Sequence, residues 1–133
     1  MNSTISSCRK QGYVSNIFGR RIHLRGINDK NFNVRNFQER AAINAPIQGS
    51  ASEIMRLDMI RLDKKFKSLK NNKSKILLQI HDELIFEVAK IEIEKIRYLI
   101  QEEMTSVVKS DLHSFSIPLT VDINFGQNWG ILH

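Results

Sequence analysis

The chain has 133 residues and 41% of them are hydrophobic, which is enough for one modest core and too little for several domains. No apolar run approaches the ~20 residues of a membrane-spanning helix, so we expect no membrane partner. The only cysteine, Cys8, excludes an internal disulfide framework and fits a reducing, cytoplasmic location.

The net charge of +6 is unevenly distributed along the chain. Residues 1–75 carry 16 Lys and Arg against 5 Asp and Glu, or +11, whereas residues 76–133 carry 4 against 9, or −5. A basic half beside an acidic half indicates a surface for a polyanion next to a region with another task. The Lys-rich stretch Lys64–Lys75 can equally be a solvated helix end.

In the first half, the sequence predicts a helix end, a hairpin and two helices. Residues 1–12 resemble the end of a helix, and a two-stranded hairpin is predicted around Phe18-Gly19. The turn-rich residues 26–33 predict a loop. A helix is expected from Asn36 to Ala45, where Pro46 should end or bend it.

A further helix is predicted to begin at Ser50, because Ser50 and Glu53 have the S-x-x-E spacing of a capping box. Behind it, apolar residues recur at helical spacing and predict a stripe that faces a core. The stripe consists of Met55, Met59, Leu62, Phe66 and Leu69.

In the second half, two β-prone runs, 76–80 and 84–88, flank three polar residues and predict an antiparallel hairpin. An amphipathic helix follows, and a last strand is predicted over Leu119–Phe125, after Pro118. The fold class is therefore α+β, with helices on one face of a small antiparallel sheet. The apolar face of the amphipathic helix is Ile93, Ile96, Ile100, Met104 and Val107.

The most informative residues are His81, Asp82 and Glu83 in the hairpin turn. Aspartate in a tight turn is ordinary, but two-residue hairpin turns prefer glycine, which is missing here. Adjacent carboxylates repel each other unless a cation or solvent relieves them. Mg²⁺ suits such a position, because it takes one or two carboxylates and completes its shell with water and phosphates.

Three segments carry a resemblance to family A DNA polymerases, the DNA polymerase I family. Residues 79–87, QIHDELIFE, resemble the family's Q-V-H-D-E-L-V/I-F-E motif, and residues 40–49, RAAINAPIQG, resemble its R-A-A-I-N-x-P-x-Q-G segment. Residues 12–21 resemble its G-Y-V hairpin, and Asn128-Trp129 matches its closing N-W pair. Three motifs in order make coincidence improbable.

The resemblance implies a role for each matching residue. Asp82 would be a ligand of the catalytic Mg²⁺ ions, Glu83 an auxiliary carboxylate, and His81 a neighbour of the primer terminus. Primer–template contacts would come from the next motif, with amide donors facing the minor groove, where the acceptors of all correct pairs recur. These DNA-binding residues are Arg40, Asn44, Gln48 and again His81.

The resemblance also implies parts that these 133 residues do not contain. The family's second metal-binding aspartate, in a D-Y-S motif, and its nucleotide-binding helix have no counterpart here. We expect the chain to be a C-terminal part of the enzyme, with residues 1–34 as the end of the fingers and 35–133 as part of the palm. Deoxynucleoside triphosphates and an upstream segment would be partners in the full enzyme. The isolated chain is expected to be inactive.

Two interpretations remain open. The first is an enzyme fragment that takes part in template-directed nucleotidyl transfer within a longer or complemented chain. The second is a non-catalytic remnant that binds duplex DNA through its basic half.

Overall fold

The computed structural model describes residues 2–110 and 119–132, with side chains up to residue 106 in the first range. The chain divides into two compact units, Met1–Glu53 and Ile54–His133. In the described residues, none of the helices has both the length and the apolar character that a membrane crossing requires. The mixture of helices with small antiparallel sheets confirms the predicted α+β class.

The first unit contains helix α1 (Asn2–Gln11), strands β1 (Tyr13–Ser15) and β2 (Arg21–His23), and the beginning of helix α2 (Phe32–Ser68). β1 and β2 pair antiparallel, which confirms the predicted hairpin. Small and aliphatic side chains from all these segments form its core, because each segment has one apolar side to bury. The buried core residues are Cys8, Val14, Leu24, Ile27 and Ala42.

The predicted helix end at Pro46 is wrong, since α2 is one helix of 37 residues with Pro46 inside it. A bend at Pro46 stays a prediction. A proline in a helix removes one backbone hydrogen bond and usually breaks the helix. One turn after the proline, the Ser50 hydroxyl donates to the Pro46 carbonyl oxygen at 2.6 Å and accepts from the Ile17 amide at 3.1 Å, which connects this part of α2 to the β1–β2 turn. Tertiary contacts of this kind outweigh the local preference.

The predicted capping box is wrong for the same reason, because no helix begins at Ser50. The hydroxyl of Ser50 is engaged as described, and Glu53 Oε1 accepts a hydrogen bond from Arg20 Nη2 at 3.0 Å. Both side chains thus connect α2 to the β1–β2 hairpin. Gly49 permits this approach, since a Cβ there would lie only 3.2 Å from Ile22 Cδ1.

The second unit contains the rest of α2, strands β3 (Lys75–Ile80) and β4 (Glu83–Glu87), and helix α3 (Ile93–Ser110), which follows the short 3₁₀ turn Lys90–Glu92. Part of the predicted stripe of α2 (Leu62, Phe66 and Leu69) and part of the predicted face of α3 (Ile96, Ile100 and Met104) meet in its core. The side chain of Val107 lies outside the described part. Side chains of the β3–β4 hairpin pack on this core. Its buried residues are Leu62, Phe66, Ile96, Ile100 and Met104.

The predicted last strand is wrong, because residues 119–126 form no strand. Pro118 lies outside the described residues. Val121 and Ile123 still pack against the core of the second unit, as their alternation predicted. A strand also requires a hydrogen-bonded neighbour, and the two sheets in the described residues each contain only two strands, β1–β2 and β3–β4. The 3₁₀ turn Trp129–Ile131 follows.

Candidate active-site hairpin and nucleic-acid interface

The three polar residues predicted to carry the chemistry lie together at the tip of the β3–β4 hairpin. Ile80 pairs with Glu83, so His81 and Asp82 form a two-residue turn and Glu83 is the first residue of β4. All three residues are exposed. Tight hydrogen-bonded pairing on both sides of a two-residue turn restricts where its side chains can lie.

The turn has an unusual backbone. His81 has a φ of 52°, in the left-handed region, and the only other such non-glycine residue among those described is Asn71 (φ 56°). Non-glycine residues are uncommon in this region, although Asn, Asp and His adopt it more often than other side chains. Such backbone conformations cluster at functional sites. The turn is therefore a candidate for function on geometric grounds.

The His81 conformation is supported by a neighbouring side chain. Gln79 Nε2 donates a hydrogen bond to the His81 carbonyl oxygen at 3.2 Å, and that carbonyl belongs to the peptide unit that joins His81 to Asp82. Sequence reasoning did not assign Gln79 this contact. Strand alternation places a residue on one side of a sheet, but it does not reveal a bond that depends on a left-handed turn.

The base of the hairpin is packed on the helices of the same unit. Phe86 of β4 stacks at an angle on Phe66 of α2, with ring centroids 5.9 Å apart, and Ile76 and Leu84 also contact the core. On β3, Leu77 and Leu78 are 47% and 45% exposed. The hairpin thus has a packed base, an exposed polar tip and apolar side chains open to solvent on one strand.

The carboxylates at the tip satisfy only part of a metal site. Within residues 2–110 and 119–132, no three His, Cys, Asp or Glu side chains come together as a metal-binding group. Two adjacent exposed carboxylates, Asp82 and Glu83, still fit Mg²⁺, which prefers oxygen ligands and commonly takes one or two from the protein. Asp82 and Glu83 could therefore supply some of the oxygen ligands of a Mg²⁺ ion, and the remaining ligands would have to come from other groups.

The other predicted site residues lie in the first unit, on helix α2. Arg40, Asn44 and Gln48 are all exposed. They are spaced by four residues, so their side chains fall within an arc of about 80° on the helix surface. One cationic and two amide side chains thus share a helix face, which can contact phosphates and base edges of a nucleic acid. The site residues form two groups, this face and the hairpin tip.

A carboxylate-tipped hairpin and a helix face of Arg and amide side chains fit the polymerase class that the motifs resemble. The chain matches DNA polymerase family A over residues 1–131, and it belongs to this family. It is 44% identical to DNA polymerase I of Mycobacterium leprae over 126 residues, and 41% identical to DNA polymerase I of Streptococcus pneumoniae over 129 residues.

A solved structure shows the same fold. It is the POL domain of Pol1 from M. smegmatis in complex with DNA primer-template and dNTP, with a TM-score of 0.88 and 38% identity over 98% of this chain. This chain covers 22% of that structure's chain. It covers 13% and 14% of the two curated relatives, which match 95% and 97% of its own length.

Proposed function

We propose that this chain supplies part of the active site and part of the primer–template surface of a DNA-directed DNA polymerase, which acts in replication or repair. The observation that carries the proposal is the turn after β3, which has a left-handed residue, His81, and exposes Asp82 and Glu83 to solvent. Residues 1–34 would belong to the fingers and residues 35–133 to the palm.

At the hairpin tip, Asp82 would hold a Mg²⁺ ion and Glu83 would assist it from the next position. The ion, when bound, supplies positive charge for the attacking and leaving oxygens of phosphoryl transfer. His81 would lie near the primer terminus. The support is chemical, because both carboxylates are exposed and a site with one or two protein carboxylates is usual for Mg²⁺.

On helix α2, Asn44 and Gln48 would donate hydrogen bonds to minor-groove acceptors, and Arg40 would bind phosphate. Acceptors in the minor groove recur for all correct base pairs, so amide donors can test pair geometry without reading sequence. The proposed partners are primer–template duplex and, in the full enzyme, deoxynucleoside triphosphates. A segment outside these residues would have to provide the second metal-binding carboxylate.

A chimera tests the proposal. The matching segment of M. leprae DNA polymerase I, 44% identical to this chain, is replaced by the chain, and primer extension is measured with Mg²⁺ and four nucleotides. We expect extension by the chimera and its loss on Asp82→Asn. The matched control is Asp122→Asn, an exposed aspartate of the same unit, which should leave extension unchanged. Extension that survives Asp82→Asn would refute the proposed role.

The 133-residue chain by itself is expected to give no primer extension, because a two-metal mechanism needs a clamp of which Asp82 supplies one side.

The second candidate function, duplex binding without catalysis, is favoured by the exposed face of Arg40, Asn44 and Gln48. Fluorescence anisotropy with a labelled duplex tests it. Arg40→Gln should weaken binding and lower the salt slope by about one, whereas Arg25→Gln, at another exposed arginine, serves as control.

A further inference from the structure

A carboxyl group is buried in the part of α2 that belongs to the second unit. Asp58 is 3% exposed, and it lies one turn before Leu62, a fully buried core residue. Its Oδ1 atom has no hydrogen-bond partner in the part of the chain that the structure describes. A buried polar atom without a partner is unfavourable, and a buried negative charge is far more so. The neutral, protonated form of Asp58 is therefore favoured.

The charges around Asp58 do not remove this penalty. Arg61, one turn further along α2, donates through Nε to Glu103 Oε2 at 3.2 Å and through Nη2 to Ser106 Oγ at 3.3 Å. Lys65 Nζ also lies 3.6 Å from Glu103 Oε1. Both cations are thus directed to Glu103 of α3, whose own negative charge lies close enough to oppose ionisation of Asp58.

The pKa of Asp58 reflects these three influences. Burial raises it most, the positive charge of Arg61 lowers it, and the negative charge of Glu103 raises it, to about 7 from an ordinary value of 3.8. Geometry and electrostatics therefore agree that the folded protein holds a proton that the unfolded chain releases.

We propose that Asp58 is a buried proton-binding site and that the packing of α2 on α3 depends on whether this site is occupied. With the proton bound, a neutral carboxyl lies beside the apolar contacts of Leu62 with α3. Without it, a second negative charge stands near Glu103 in a buried position. This inference does not depend on the proposed polymerase function, because it concerns only the stability of the second unit.

The direction of the pH effect follows from the raised pKa. The folded state holds the proton up to about pH 7, whereas the unfolded chain releases it near pH 3.8. The stabilisation is complete below the unfolded value and is lost as the pH rises through the folded value. Across that window the unfolding equilibrium constant should rise by roughly tenfold per pH unit.

The direct test is a ¹³C NMR titration of the Asp58 carboxyl carbon in the 133-residue chain between pH 3 and 9. We expect a midpoint near 7. Glu103→Gln should move that midpoint to lower pH, because it removes the negative charge that opposes ionisation. The dispersion of the amide resonances in the same sample verifies that the chain is folded, and a wild-type midpoint near the ordinary value in the folded chain would overturn the inference.

Urea unfolding at pH 5 and pH 8 provides the second measurement. Asp58→Asn imitates the protonated form and cannot ionise, so its unfolding constant should stay nearly the same at pH 5 and pH 8, whereas that of the wild type should rise by roughly 100-fold. The control is Asp63→Asn, an exposed aspartate of the same helix that pairs with Lys67 at 2.7 Å, which should retain the wild-type pH dependence. An Asp58→Asn variant with the wild-type pH dependence would overturn the inference.

Discussion

The two hairpins of this protein differ in how their turn residues find partners. In β1–β2, Asn16 is 5% exposed, and its Oδ1 accepts hydrogen bonds from the amides of Phe18 and Arg20 at 3.0 and 2.9 Å. Its Nδ2 donates to the Gly49 carbonyl oxygen at 3.3 Å. The left-handed position of this turn is occupied by Gly19, with φ 82°. Both polar atoms of the Asn16 side chain are therefore hydrogen-bonded within the fold.

The β3–β4 turn differs from this one in the exposure of its residues. Its left-handed position is occupied by His81, and Asp82 and Glu83 are exposed beside it. Stability alone would favour glycine or asparagine at such a position. A turn whose polar side chain is hydrogen-bonded inside the fold is explained by stability. An exposed turn with a left-handed histidine and adjacent carboxylates is instead a candidate for function.

The largest expected effect is on activity. Asp82→Asn in the chimeric polymerase should lower primer extension by more than about 100-fold, since loss of outer-shell partners alone typically costs 10–100-fold. Its free energy of unfolding should change by less than about 0.5 kcal/mol, because Asp82 is exposed. Extension rates and urea unfolding of the same preparation check both parts. A destabilised variant would show that Asp82 is a structural turn residue.

Asn16→Ala should show the reverse pattern. It removes three hydrogen bonds at a buried position, so we expect a loss of about 2–3 kcal/mol in the free energy of unfolding. Urea unfolding of the 133-residue chain measures it. Asn36→Ala, at an exposed asparagine, is the control and should change stability little. An equal loss of unfolding free energy in both variants would show that the hydrogen bonds of Asn16 do not stabilise the β1–β2 turn.

Gly19→Ala should destabilise the β1–β2 hairpin by about 1 kcal/mol, because an alanine is strained at φ 82°. No atom lies within 4 Å of the Cβ that would be added, so the loss is purely conformational. Thermal unfolding measures the change. A neutral result would mean that this turn relaxes to another conformation.

The smallest effect is expected at the corresponding position of the other hairpin. His81→Gly should change the free energy of unfolding by less than about 1 kcal/mol, because relief of the left-handed φ is opposed by the greater freedom of glycine in the unfolded chain. In the chimera the same change should lower primer extension. A variant that extends primers at the wild-type rate would show that His81 has no role in the reaction and would weaken the comparison.

Much of the candidate site could be predicted from the sequence. The two β-prone runs on either side of residues 81–83 were sufficient to predict the hairpin, because aliphatic and aromatic runs separated by a short polar segment favour paired strands. Arg40, Asn44 and Gln48 were assigned from the resemblance alone, and their shared face exists only because α2 continues through Pro46, which the sequence did not predict. The left-handed backbone of His81 and the contact from Gln79 were not predicted, because they depend on the closed turn.

By itself, the sequence determined the family, the α+β class and the positions of the two hairpins and of helix α3. Only the tertiary structure decided that α2 continues through Pro46, that Ser50 and Glu53 contact the hairpin, and that residues 119–126 form no strand. The physical reason is that periodicity records which side of an element is buried. Whether a helix continues past a proline, or an extended segment becomes a strand, depends on hydrogen-bond partners that are distant in sequence.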